Sequence, residues 1–396
     1  MISNLIHATS SDVELTESTN TGLNQNHAIV EDEEVGVNET IGDFLKRSKS
    51  SLFYFYQLNA GGLYQTKFTN ATGCQRTAMA FAVFAELGMI FYMFVVILPN
   101  NSSPVLFILP IAVVLSYLLV YPIKLAVEYR LQRKCELRRE SMHQVVMHSR
   151  MANIVGIVLF LIVFINFVYY WITVDPSYFF IWLSWIWLVC DTFLVVSSTT
   201  WVIFMIIYNS YVVHQEIDTL RKMARSGELT GALYMQRYRR MKEANSGHLL
   251  HDCLAAVSYW NILSFILLLV LAADEIWLTV FAQFMLLGRE GLVVIYLLPF
   301  FSSTNESFQD FLVECAQKFA DEEIQLLESG EAVDVDLRTV VGVQRQMKVY
   351  QLAMKYPFTL TLFGHAVTKE SMRTQLFGLI LAGLIGIIKV IVESYA

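Results

Sequence analysis

Positive charge is missing from two parts of this chain, and each absence excludes something. The first 44 residues carry nine acids (Asp12, Glu14, Glu17, Glu31, Asp32, Glu33, Glu34, Glu39 and Asp43) and no Lys or Arg. Such a segment buries too little apolar surface to offset chain entropy, so residues 1–44 are expected to be a disordered acidic tail. The opening "MISNLIHATSSDVELTESTN" also lacks the basic start and long apolar core of a cleavable leader, so the amino terminus is expected to be retained.

Other shortages are equally selective. Five cysteines (Cys74, Cys135, Cys190, Cys253 and Cys315) stand singly, and none falls in a stretch read as extracellular, so no disulfide framework is expected. No Gly-rich phosphate loop, zinc spacing or intramembrane His/Ser constellation is present, which argues against an enzyme and against a metal or other cofactor. His248 and His251, beside Asp252 and Cys253, are read as a solvated juxtamembrane turn; a metal site is the weaker alternative. A formal net charge of -7 gives no basis for nucleic-acid binding. The absence of inverted repeats and paired broken helices weighs against a transporter.

What the chain has is oil. It is 55% hydrophobic and only 16% charged, with 13% aromatics and a mean hydropathy of +0.49. A water-soluble globule of this size does not have that balance. Apolar runs lie at about 78–98, 104–123, 153–174, 178–208, 254–272, 276–302 and 374–392, each near the roughly 20 residues that cross a bilayer as a helix. An all-α, seven-transmembrane bundle is therefore expected, at residues 45–396. Only Ala273, Asp274 and Glu275 separate the fifth and sixth runs, which leaves six spans open as an alternative and the hairpin boundary near 273–290 uncertain in position.

The second absence of positive charge orients this bundle. The segments 99–104, 175–177, 273–275 and 394–396 contain no Lys or Arg, whereas 26 of the 28 basic residues lie in the alternate segments. By the positive-inside rule, the amino terminus is expected to be cytoplasmic and the carboxyl terminus extracellular; the membrane is expected to be the plasma membrane. The long inner segments carry helical patterns of their own. In 307–329, Phe308, Phe311, Leu312, Cys315, Phe319 and Leu326 repeat along one helical face, and a second, basic pattern follows in 336–358. Together 307–365 are expected to form a cytoplasmic helical platform, either as surface helices or as a subunit contact.

Three groups of residues are candidates for function. Near the outer ends of the third and fourth runs, Phe167, Tyr169, Tyr170, Trp171, Tyr178, Phe179, Phe180, Trp182, Trp185 and Trp187 form an aromatic cluster. An interfacial belt explains such a cluster, but Trp182 and Trp185 share a helix face and Asn166 lies one turn from Tyr170, so a ligand pocket lined by Asn166, Tyr170, Trp182 and Trp185 is the sharper reading. Glu86, Asp191, Arg289 and Glu290 fall at one depth, about 20 Å below the outer surface by helical rise. Unpaired charge is costly there, so they form either a buried structural ion pair or a water-filled gating cavity. Lys389, in "AGLIGIIKVIVE" (382–393), either snorkels to the outer interface or marks a functional site.

The architecture, together with "PFTLTLFGHAVTKESMRTQLFGLILAGLIGIIKVIVE" at the end, resembles the insect chemoreceptor superfamily, specifically gustatory receptor-like proteins. By motif the resemblance covers about the last 40 residues. In that family the last span carries Thr-Tyr, five apolar residues, then Gln-Phe; here the same spacing holds Ala382 and Gly383, then Lys389 and Val390. All four signature residues differ, which implies a divergent branch, nematode or other non-insect. The resemblance implies a ligand-gated ion channel for a small molecule, assembled as a homotetramer or as a hetero-oligomer with related receptors, with the last span lining the pore. By that resemblance Ile385, Ile388 and Lys389 would face the pore, with Lys389 where the family has its glutamine. A non-conducting receptor or trafficking scaffold of the same fold, or a light or oxidant sensor, is the alternative.

Overall fold

The computed structural model describes residues 39–53, 77, 84, 135–172, 179–245, 252, 255–256, 258–259, 262, 277–329 and 337–395. All of these belong to one compact unit, Glu34–Ala396. Its described elements are seven helices and one two-stranded hairpin: α1 (Ile41–Arg47), α2 (Arg139–Ile172), α3 (Phe179–Ser226), α4 (Gly231–Ala244), α5 (Trp277–Ser329), α6 (Leu337–Lys355), β1 (Thr361–Leu362), β2 (His365–Ala366) and α7 (Lys369–Tyr395). The fold is thus predominantly helical. Among the described residues, no helix is long and apolar enough to cross a membrane. The apolar runs at 78–98 and 104–123 lie outside the described residues except for Phe84, and many side chains of the other runs lie outside them too.

Four helices are long, with 34 residues in α2, 48 in α3, 53 in α5 and 27 in α7. Helices α3 and α5 continue unbroken past the apolar runs into the segments expected to be helical extensions, α5 passing through Pro299. The pairs Asn153 with Thr200 and Glu136 with Tyr208 make α2 and α3 antiparallel. Contacts of His214 with Ser307 and Arg221 with Glu314 make α3 and α5 parallel. Between them lies an aromatic and aliphatic core: Trp201, Phe204, Ile207, Leu297, Phe301, Phe308 and Phe311 are all buried.

The platform closes around that core. Of the 307–329 stripe, Phe308, Phe311, Leu312 and Cys315 are buried, while Phe319 is half-buried and the side chain of Leu326 lies outside the described residues. The basic pattern that follows forms α6, which buries Gln346, Val349 and Ala353. Tyr234 of α4 stacks on Phe311 at 6.3 Å and donates its hydroxyl to the Tyr356 carbonyl at 2.7 Å, which joins three elements through one side chain. Burial raises the Tyr234 pKa, so the phenol stays protonated and remains a donor.

Local chemistry explains the ends of these helices. Thr230 caps α4 by accepting from Leu233 N at 3.3 Å, and Thr368 and Ser371 exchange hydrogen bonds at the start of α7. Helix α3 stops at Gly227, whose φ of +76° lets Gly227 N and Glu228 N turn back onto Ala224 O and Met223 O.

Two expectations need correction. Ordered structure reaches into the acidic segment, because α1 begins at Ile41: Thr40 caps it, and Ile41, Phe44 and Leu45 are buried, so apolar contact outweighs local acidity. The rest of 1–44 lies outside the described residues. The all-α expectation also omits the β1–β2 hairpin, in which Thr361 pairs with Ala366 and Leu362 with His365.

Gly227 supplies a direct test. An added Cβ would meet only Lys318 Nζ at 3.6 Å, so Gly227→Ala meets ordinary space but a strained backbone. We expect a loss of about 1 kcal/mol, read as a lowered Tm; an unchanged Tm would show that α3 does not end in the left-handed turn.

Candidate functional site

Among the described residues, a group of polar side chains ties α5, the hairpin and the start of α7 together. Asn305, on α5 and buried, is its centre. Its Nδ2 donates to the carbonyls of Leu360 and Val367, both at 2.9 Å, and its Oδ1 accepts from Leu360 N at 2.7 Å. Leu360 and Val367 are the residues immediately outside β1 and β2, and they bond each other at 3.3 Å. One amide therefore closes both ends of the hairpin and satisfies three backbone groups buried from water.

Three further contacts fix the base of α7 to this clasp. Lys369 pairs with Glu306, the residue after Asn305. Asp252 Oδ1 accepts from Phe363 N, at the hairpin apex, at 2.8 Å. Tyr259 donates its hydroxyl to Gln375 Oε1 at 2.8 Å, and its ring lies 6.4 Å from that of Phe363. The base of α7 is thus tied to α5, to Asp252 and to Tyr259.

Further along, α3 and α5 lock together. Glu314 Oε1 accepts from Arg221 Nε at 3.0 Å, from Arg221 Nη2 and from Arg225 Nη2 at 2.7 Å. These hydrogen bonds, led by that from Arg221, hold the Glu314 carboxyl below its usual range and raise the Arg221 pKa. Lys318, one turn on, donates to the carbonyls of Ala224 and Arg225 at 2.6 and 2.7 Å, so α5 supplies the cation at the carboxyl end of α3. Glu216 plays a similar part toward α4, with Arg237 at 2.8 Å and Arg240 at 3.6 Å.

Between these clasps His214 lies 3.0 Å from Ser307 Oγ. Burial lowers its pKa and outweighs the opposing pull of Asp218, with Arg221 adding to the depression, so the ring is neutral near pH 7. The thiols of Cys135 and Cys315 are pushed up by burial to about 11 and about 12, which leaves them unreactive. No group of His, Cys, Asp and Glu among the described residues could hold a metal ion. Asp252 instead holds the hairpin, while His248, His251 and Cys253 lie outside the described residues.

The candidates read from sequence are distributed as follows. Asn166 and Tyr170 are on α2, Trp182, Trp185 and Asp191 on α3, and Arg289 and Glu290 on α5, with side chains outside the described residues. Glu86 is wholly outside them. Ile385, Ile388 and Lys389 are on α7; the first two are each 58% exposed, and the Lys389 side chain is not among those described. The Asn305 clasp was not found from the sequence, where Asn305-Glu306-Ser307 reads as a glycosylation sequon of little weight. The usable signal was an amide within a strongly apolar helical pattern, which needs backbone partners if buried.

No protein-family model matches this chain, and no curated protein does.

Two tests follow. Asn305→Ala leaves the two carbonyls and one N–H without this partner, and we expect about 2–4 kcal/mol of lost stability, with Asn305→Asp no rescue because it removes both donors. A Tm within error of the parent would contradict the clasp. Acid should weaken the α3–α5 lock in two stages. Below the ordinary imidazole value of about 6.5 the unfolded chain binds a proton that folded His214 refuses, and at lower pH Glu314 loses its stabilisation as it is protonated. A Tm series from neutral to acid pH should therefore fall, with His214→Gln removing the upper stage and Glu314→Gln the lower; a flat series would contradict both assignments.

Proposed function

We propose that this chain is the subunit of a ligand-gated ion channel of chemoreceptor type in the plasma membrane, with α7 lining a pore shared by four copies. The observation that carries this reading is the outer surface of α7. Phe377, Ile380, Leu381, Leu384, Ile385, Ile388 and Val392 fall along one face and are 45 to 67% exposed. A Cβ added to Gly378 or Gly383 would meet nothing within 4 Å. An apolar stripe of this length requires a cover, and lipid together with copies of the same helix provides one. The tied base of α7 supports the gating half of the reading, because a motion of α5 or of the backbone at Asp252 is transmitted to α7 through Asn305, Glu306 and Asp252.

In this reading the seven apolar runs cross the membrane, and a small molecule binds among Asn166, Tyr170, Trp182 and Trp185. The ligand favours the conducting state by binding it better. Four copies of Lys389 then ring the outer pore, opposing cations and attracting anions. The lysine, with the loss of all four signature residues, also favours a second reading, a non-conducting receptor or scaffold on the same fold.

Single-particle mass in lipid nanodiscs and currents from expressing cells test the proposal together. We expect four subunits per particle and an anion preference that disappears in Lys389→Gln. A monomeric particle rules out the shared pore, and tetramers that stay silent under every stimulus leave the scaffold.

A further inference from the structure

The apex of the β1–β2 hairpin combines a strained backbone with an aromatic ring that is only partly packed, its neighbour being the Tyr259 ring at 6.4 Å. Its two-residue loop is Phe363-Gly364, with φ of +52° and +78°. Positive φ at both positions is the handedness of a type I′ turn, in which Asn, Asp or Gly is the usual first residue. A bulky aromatic in the left-handed region is strained. Burial of the ring normally offsets such strain, yet Phe363 is 50% exposed. It is also held there, since Asp252 accepts its N–H at 2.8 Å.

Three elements fix the level of this apex if the seven runs cross the membrane. Asp252 lies two residues before the fifth run, Asn305 three residues after the sixth, and Lys369 five residues before the seventh. The hairpin touches or adjoins all three. At 1.5 Å per residue, each is within about 8 Å of the point where its run meets the cytoplasmic surface. The next exposed aromatic on α7 is Phe377, which is 67% exposed and begins the apolar stripe. Between the two rings the exposed side chains Lys369, Glu370, Arg373 and Gln375 are polar, so the hairpin ring and the α7 stripe are separate apolar features flanking a polar band at the base of the helix.

We propose that the Phe363 hairpin is an interfacial anchor, with the ring seated in the glycerol region of phospholipids in the cytoplasmic leaflet. Apolar side chains, Phe among them, bury at the boundary of headgroups and acyl chains when a surface element presents them there, and seating the ring at that level gives a return for the strained turn. Anchoring also has a mechanical consequence. Because the hairpin is clasped by Asn305 and leads directly into α7, a fixed apex gives α7 a pivot at the membrane surface, against which the platform moves. The proposal rests on the membrane reading above and adds a lipid contact to it.

The test places a photoreactive side chain at the apex of the full chain, Phe363→p-benzoylphenylalanine, in phosphatidylcholine nanodiscs. The same probe at Met347, exposed on α6, is the control. Irradiation is expected to add the mass of one phosphatidylcholine at position 363 severalfold more often than at 347. Equal yields, or cross-links at 363 only to protein (this chain or a second copy), overturn the anchor. A parallel measurement uses Phe363→Trp with lipids brominated near the glycerol end: the added emission should be quenched, and no extra quenching overturns the proposal equally. Carbonate washing of native membranes separates the two levels of inference. A chain released by the wash overturns the membrane reading and the anchor together, whereas a retained chain without lipid contact at 363 overturns the anchor alone.

Discussion

The structure depends on a buried amide satisfying backbone that water cannot reach. A chain that leaves α6, reverses through a tight hairpin and re-enters a helix exposes several peptide groups at the turn. At Leu360 and Val367 those groups are buried, and Asn305 meets them with both donors and one acceptor lone pair. Unpaired buried peptide groups cost about 1–3 kcal/mol each, comparable to much of a domain's net stability. The position of the hairpin, and hence the starting point and direction of α7, follow from that constraint.

The same logic extends along α3 and α5. These helices are parallel, so their dipoles do not offset each other, and the end of α3 meets the side of α5. Lys318 and the Arg221–Glu314–Arg225 cluster place opposite charge where helix ends and side chains need it. The core beneath them, from Trp201 through Phe311, supplies the bulk of the attraction; the polar clasps fix register. With both kinds of contact, α3, α4 and α5 are joined at several points along their lengths.

Much of the helical content was legible from the sequence. The stripe beginning at Phe308 and the basic pattern beyond it predict α5 and α6, because amphipathic spacing is local and a helix satisfies its own backbone. The hairpin was not legible. Its strands are two residues each, Phe-Gly is not a customary pair for its turn, and the partner that holds it lies 55 residues away at Asn305. Ile41 and Phe44 gave the same difficulty: acids nearby suggest disorder, and only distant apolar partners overrule them.

By itself, the sequence determined the helical character of the described segments and how charge divides along the chain, since both follow from side-chain period and composition within one segment. Which polar residues become structural was decided only by tertiary contact. Asn305, Asp252, Glu314 and Lys318 carry no mark that separates them from solvated neighbours. A donor or acceptor acquires that role when folding brings a group from another segment to within about 3 Å and removes the water between them.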